Sequence, residues 1–375
     1  MVYYIGYYHC DAIRDEGRVV APAAENKMNY MISAISEAYN GQIEVVSPAE
    51  TRQRHFVKGK RITLDQRVTL KTFSSFSSRS RVMRGVGHLW TRLLFKLYLW
   101  TRVRAGDRLI VYHSLSYMKW FRFLKRIKRI RLTVEVEELY ADVTQDEILR
   151  KKEIAYLKTA DNHVFITELL RSEVGADKPY AVSHGTYRAI DDYGFRFADD
   201  RIHAVYAGTF RRAKGGVYTA IEAAEYLDGR YTLEILGAGS DEENDTVQKL
   251  IKEVSQKTEC RVNYVGFKSG QALNAYIQAC HIGLSTQPID AGFNTTSFPS
   301  KVLMYMSNGL RVVSVRIPAV ETSDVGDCID FYDRQDAEEV AKAIRNVKLN
   351  DNYDSRARLH RLHETFREAL SNLLT

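Results

Sequence analysis

The chain has 375 residues, 45% of them hydrophobic and 27% charged, which suits two domains and excludes a disordered chain. No apolar run reaches the roughly 20 residues that span a bilayer, the N-terminus lacks a signal peptide's basic leader and cleavage site, and the distant Cys10, Cys260, Cys280 and Cys328 fit neither a zinc site nor a disulfide framework, so a reduced, cytoplasmic protein is expected. The net charge is +7, yet residues 72–131 hold fifteen Lys and Arg against Asp107 alone, a local +14 that leaves −7 for the remainder and points to an anionic partner: nucleic acid, an acidic membrane surface or a phosphorylated substrate.

In chain order, the apolar run 2–8 reads as a buried strand, followed by a helix over 23–39 with Met28, Met31, Ile32, Ile35 and Ala38 on one face. A strand is expected at 42–46 and a Ser-rich loop at 74–80. The periodicity then predicts two basic helices. Over 84–104, Arg84, His88, Arg92 and Lys96 form a stripe beside Leu89, Trp90, Leu93, Leu94, Leu97, Tyr98 and Trp100. Over 117–129, Lys119, Arg122, Arg126 and Arg129 oppose Trp120, Phe121, Leu124 and Ile127. Such helices suit a membrane interface, or a core helix with a solvated basic face. Strands follow at 108–112, 132–136, 163–167 and 180–183.

The polar segment 185–201 reads as a domain linker, after which the pattern restarts. Strands are expected at 203–207, 232–236, 261–264, 282–285 and 311–315, and helices at 216–226, 244–258, 272–279, 300–307 and 337–347. A last helix over 355–374 is long enough to pack back on the first domain. Alternating strand and helix defines an α/β chain of two Rossmann-like domains, residues 1–186 and 200–350, with parallel sheets facing across a cleft. Ligands in such sheets bind beyond the carboxyl ends of the strands.

A P-loop, a GxSxG elbow, a GxGxxG after the first strand, HExxH and Asp-x-Asp are all missing, which argues against the corresponding NTPase, hydrolase, dehydrogenase, metalloprotease and metal-dependent sugar-transferase chemistries. Four turns in the second domain are compatible with phosphate. The first, Val205-Tyr206-Ala207-Gly208-Thr209-Phe210-Arg211-Arg212-Ala213-Lys214-Gly215-Gly216, runs from a strand through three cations into glycines that open a helix. Helix N-termini, Arg and Lys all favour phosphate, although the segment also reads as an exposed basic loop. The second is Gly237-Ala238-Gly239, and the third is Gly266-Phe267, where a flat base would fit a strand end as ordinary as any other. The fourth runs from Asn294 through Thr296, Ser297 and Pro299 to Ser300 and Lys301, whose lysine opposes the helix dipole unless an anion lies beside it. All four follow strands of one sheet and so share one edge.

On these residues, with Tyr305, Met306 and Gly309 completing a Pro-Ser-Lys…Tyr-Met…Gly block, the second domain resembles the nucleotide-sugar half of the retaining glycosyltransferases of GT-B fold, in a version similar to capsular or exopolysaccharide enzymes. The resemblance implies metal-independent, retaining transfer from a nucleoside diphosphate sugar, a UDP-sugar in the usual case, to a saccharide or lipid-linked saccharide, with no further cofactor. It assigns Lys214 with Arg211 or Arg212 to the donor diphosphate, assisting departure of the nucleotide. Ser300 and Lys301 would hold the same phosphates, and Gly208, Gly237, Gly239, Gly266, Phe267, Asp290, Thr296 and Ser297 complete the donor side. In the first domain His113, at a strand end, would face the transferred sugar or serve packing. Glu135, Glu137 and Glu138 end the next strand and either face the cleft or are solvated; Glu138 and Asn26 are the acceptor-side candidates.

The family's second glutamate, which grips the ribose, falls on Met304, and this motivates a rival reading as the non-catalytic binding or scaffold subunit of a transferase pair. Nucleic acid lacks a reading motif and is set aside. The leading expectation is a cytoplasmic transferase of surface-polysaccharide synthesis, docked on an anionic membrane face and open to homo- or hetero-oligomer formation.

Overall fold

The computed structural model describes residues 1–144, 146–175, 177–211, 216–289, 294 and 296–375. The chain divides into two compact units, Met1–Ser183 with Thr365–Thr375, and His184–Glu364.

The first unit runs β1 (Val2–Ile5), α1 (Pro22–Ala38), β2 (Ile43–Ser47), β3 (Arg61–Asp65), β4 (Val68–Thr72), α2 (Arg81–Arg102), β5 (Arg108–Tyr112), α3 (Met118–Lys128), β6 (Arg131–Val136), α4 (Tyr140–Thr144), α5 (Glu147–Leu157), β7 (Asn162–Phe165), α6 (Glu168–Val174) and β8 (Tyr180–Val182). Among the described residues its sheet has the order β3-β4-β2-β1-β5-β6-β7-β8, parallel except for the β3–β4 pair at one edge. The central strands are apolar almost throughout and buried, as a parallel sheet covered by helices requires. Glu44 of β2 is one exception: buried, it accepts hydrogen bonds from Tyr98 of α2 at 2.7 and 2.8 Å and pairs with Arg61 of β3. A buried carboxylate without such partners would be costly, so this network pins α2 to the sheet edge.

The second unit runs β9 (Ile202–Thr209), α7 (Val217–Glu222), β10 (Tyr231–Ala238), α8 (Asp241–Ser255), β11 (Arg261–Gly266), α9 (Gly270–Gln278), β12 (Ile282–Ser285), α10 (Ser300–Ser307), β13 (Arg311–Val315), α11 (Pro318–Glu321), β14 (Ile329–Tyr332) and α12 (Ala337–Asn346). Its sheet is wholly parallel, with the order β11-β10-β9-β12-β13-β14 among the described residues. The last helix, α13 (Ser355–Leu374), starts in the second unit and contributes its final residues to the first, where Phe366 stacks on Tyr30 at 6.0 Å.

Two expectations change. Residues 185–201, read from their polarity as a linker, belong to the second unit: Ile190 N–H donates to Ser307 O (2.8 Å), Tyr193 N–H to the Gln278 side chain (3.0 Å), and Phe197 stacks on His203 at 3.8 Å. The β3–β4 hairpin and β14 are additional strands. β3 alternates exposed and half-buried residues at a sheet edge, so it lacks the apolar run that marks the central strands.

Candidate functional site

The parallel strands of the second sheet bring the ends of β9, β10, β11 and β12 to one edge. There the registers pair Gly208 with Gly237. Gly237 has φ +143°, and a Cβ on it would strike the Gly208 carbonyl, so both the backbone angle and the close approach call for glycine. Gly208 itself adjoins Lys301 of α10: a Cβ at position 208 would stand 2.5 Å from the Lys301 ammonium nitrogen.

Tyr206 lies two residues before Gly208, hence on the same face of β9. Its ring receives the Lys301 ammonium at 3.7 Å from the centroid, a cation–π contact. Its hydroxyl donates to Thr209 O (2.9 Å), fixing the ring. Tyr305, one turn further along α10, accepts from Ala207 N–H (2.9 Å) and donates to Leu284 O (3.2 Å), which locks the helix onto β9 and β12. Burial lowers the Lys301 pKa to about 7, with no carboxylate acting against it among the described residues. A cation held there without a partner is disfavoured until an anion arrives.

Two of the helix starts at this edge, those of α8 and α10, differ. At α8, Ser240 and Glu243 form a capping box and Asn244 accepts from Gly239 N–H (2.9 Å), so protein groups already occupy the first turn, which also carries Asp241 and Glu242. At α10 no side chain among the described residues caps the helix, and no acid lies in its first turn. Val302 N–H bonds back to Pro299 O (3.1 Å), and an uncapped helix start of this kind is suited to an anion. Gly239 thus belongs to an acidic helix start, whereas Ser300, exposed, and Lys301 stand at an open one.

The remaining donor-side residues are distributed as follows. Arg211 is exposed, its N–H donating to Thr209 Oγ1 (3.3 Å). Gly266 ends β11, and Phe267 beside it is 73% exposed. Thr296 is buried and Ser297 half-buried, next to Phe298, whose ring stacks on His184 at 4.9 Å. Arg212, Lys214 and Asp290 lie outside the described residues.

In the first unit, His113 is 2% exposed, enclosed by Tyr140 (5.2 Å between rings), Tyr156 (6.3 Å) and Glu153 Oε1 (3.4 Å). Burial lowers its pKa to about 4, so it is neutral at physiological pH and packed among side chains. Glu135 is fully buried rather than a solvated strand end: Tyr4 donates to it (2.7 Å), and burial, reinforced by Glu137, raises it to about 8. Lys27, which sequence reasoning missed, is buried beside them, donating to Ser183 O (2.9 Å) and Oγ (3.1 Å) and lying 3.5 Å from Glu137. Glu138 is half-buried and Asn26, the fifth residue of α1, is exposed. Among the described residues, no three His, Cys, Asp or Glu side chains converge as metal ligands.

Two parallel α/β units of this kind define the GT-B class of fold. Residues 201–350, within the second unit, match the family model described as glycosyl transferases group 1. An E. coli structure described as trehalose-6-phosphate bound with UDP-2-fluoro glucose aligns at 12% identity with a TM-score of 0.66, covering 100% of this chain and 99% of that one. The α,α-trehalose 6-phosphate synthase of Burkholderia multivorans aligns at 13% identity and TM-score 0.66, covering 100% and 96%. Sucrose-phosphate synthase of Thermosynechococcus elongatus aligns at 15% identity and TM-score 0.62, covering 100% and 94%. No curated protein matches the chain by sequence. At identities this low, the likeness shows a shared fold and nothing beyond it. Tyr206, the platform beneath Lys301, escaped sequence reasoning; the available signal was its i−2 spacing from Gly208.

Proposed function

We propose that this chain is a glycosyltransferase that moves a sugar from a nucleoside diphosphate sugar to a saccharide acceptor. The observation that carries the reading is the Lys301 ammonium, poised over Tyr206 and against Gly208, with no carboxylate partner among the described residues and at an uncapped helix start. It lies within the stretch that matches the group 1 family. A diphosphate placed there would take the Lys301 charge and the α10 backbone donors together. By resemblance, Arg211, Arg212 and Lys214 of the segment after β9 take the same phosphates, Ser300 adds a hydroxyl, and Phe267 offers its exposed ring to the base. Spread over these donors, the charge that develops on the departing nucleoside diphosphate is stabilised as the glycosidic bond breaks. This assigns the leaving-group work to protein cations without a metal, and retention of configuration goes with it by resemblance. Asp290, Thr296 and Ser297 complete the donor side, and Asn26 and Glu138 stand on the acceptor side. The acceptor is proposed to be a lipid-linked saccharide of surface-polysaccharide synthesis. A thermal-shift panel of UDP-, GDP-, ADP- and dTDP-sugars tests the reading, since a ligand stabilises the native state according to its affinity; a flat response across the whole panel contradicts it.

A further inference from the structure

Helix α2 has two apolar faces. One, with Gly87, Thr91, Phe95 and Leu99, is buried against the first unit, and Thr91 Oγ1 donates to Ser74 O (3.2 Å). On the opposite face Val82, Val86, Leu89, Leu93, Leu97 and Trp100 recur at steps of three or four residues, all exposed, Val82 by 75% and Leu89 by 70%. Met83 and Trp90 widen this stripe. On α3, Phe123 and Ile127 are exposed too, and Phe123 stacks on Trp100 at 5.9 Å and lies 5.4 Å from Trp120, so the two helices present one continuous apolar patch. Scattered exposed apolar residues need no explanation, but a contiguous patch along a helix of about 33 Å marks an interaction surface.

The surroundings of the patch say what covers it. The chain's three tryptophans, Trp90, Trp100 and Trp120, all lie on these two helices. Arg84, Arg102, Lys119, Arg122, Arg126 and Arg129 are exposed around it, and Lys128 and Lys96 lie over Trp100 (4.5 Å) and Trp120 (5.7 Å). Of the basic stripe on α2, His88 and Arg92 pair with Glu50, which leaves the surrounding cations in large excess. A second copy meeting this face about a two-fold axis would set cation against cation. A nucleic acid would meet an apolar stripe where its phosphates need donors. An anionic bilayer satisfies both features: acyl chains take the stripe, the headgroup layer takes tryptophan, and lipid phosphates take the cations.

We infer that the exposed face of α2 and α3 is a membrane-docking surface, on which α2 lies in the plane of an anionic lipid bilayer. No helix among the described residues is long and apolar enough to cross a membrane. The inference rests on surface chemistry in the first unit and stands apart from the transferase reading.

Flotation of the full chain with vesicles tests it. The chain floats with phosphatidylcholine–phosphatidylglycerol vesicles at low salt and about tenfold less with phosphatidylcholine alone or at high salt. Changing Leu89, Leu93 and Leu97 together to Glu lowers the bound fraction by about tenfold or more. Arg122→Gln with Arg126→Gln, exposed changes that leave the packing intact, weakens flotation with anionic vesicles only. A chain that stays in solution with anionic vesicles overturns the proposal. So does unchanged flotation of the arginine variant, or sedimentation velocity showing that this face instead mediates a concentration-dependent dimer.

Discussion

The Lys301 ammonium occupies the space that a side chain on residue 208 would claim, 2.5 Å from where its Cβ would stand. A strand-end glycine and a helix-start lysine, far apart in sequence, thus form one feature: backbone that gives way, and a cation that fills the gap while resting on Tyr206. Gly208→Ala displaces a flexible side-chain end rather than backbone, so the fold persists. Affinity for UDP or the matching nucleoside diphosphate falls by about tenfold, a loss near 1.4 kcal/mol, measured by titration calorimetry beside a melting curve that hardly moves.

The Lys301 pKa of about 7 makes donor binding pH-dependent. The diphosphate selects the protonated lysine, so binding above about pH 7 takes up a proton and weakens as pH rises through that value. Calorimetry at pH 8 in buffers of different ionisation enthalpy detects the uptake, and Lys301→Met abolishes it. Stability behaves oppositely. Between about 7 and the ordinary 10.5 the unfolded chain binds more protons at this site, so the ligand-free protein gains stability as pH rises across that window.

Glu135 carries the reverse signature. Burial raises its carboxyl from the ordinary 4.5 to about 8, so the folded state binds more protons and loses stability as pH climbs from about 4.5 to 8. Glu135→Gln keeps a partner for Tyr4 and removes that slope: the variant matches the parent at pH 5 and melts higher than it at pH 8. Melting curves at the two pH values, parent against variant, check this.

Gly237→Ala combines a φ of +143° with a collision against the Gly208 carbonyl. Strained backbone of this kind costs about 1–3 kcal/mol, a drop in Tm of about 2–10 °C, with donor affinity falling as well because the strand end must move. Gly106→Ala, also at positive φ but with open space around it, is the control: strain without collision, and donor affinity unchanged.

Much of this was legible in the sequence. Alternating apolar runs and amphipathic helices located both sheets, because buried parallel strands announce themselves as continuous apolar segments. Gly208, Gly237 and Lys301 were all legible as members of strand-end turns. What the turns did not reveal was that Gly208 and Lys301 touch, or that Tyr206 lies beneath them, since those contacts depend on how α10 packs on β9. Burial misled at strand ends: Glu135 reads as an acid that either faces the cleft or is solvated, yet it is fully buried, with the Tyr4 hydroxyl donating to it and the Lys27–Glu137 pair nearby. His113 reads as a candidate at a strand end, and its neighbours Tyr140, Tyr156 and Glu153 come from later elements that the local sequence cannot place. The charge of residues 72–131 was plain from counting, whereas the second apolar face of α2 emerged only once its first face was seen to be buried.

The most direct measurement is calorimetric titration of the parent chain and Lys301→Met with the nucleoside diphosphate sugar that stabilises the parent most. Loss of a charge-assisted contact of about 1.5–3 kcal/mol weakens binding about ten- to hundredfold, while the melting temperature of the ligand-free variant holds or rises because a poorly solvated cation is gone. Equal affinity in parent and variant, with both folded, would contradict Lys301 as the donor's phosphate anchor.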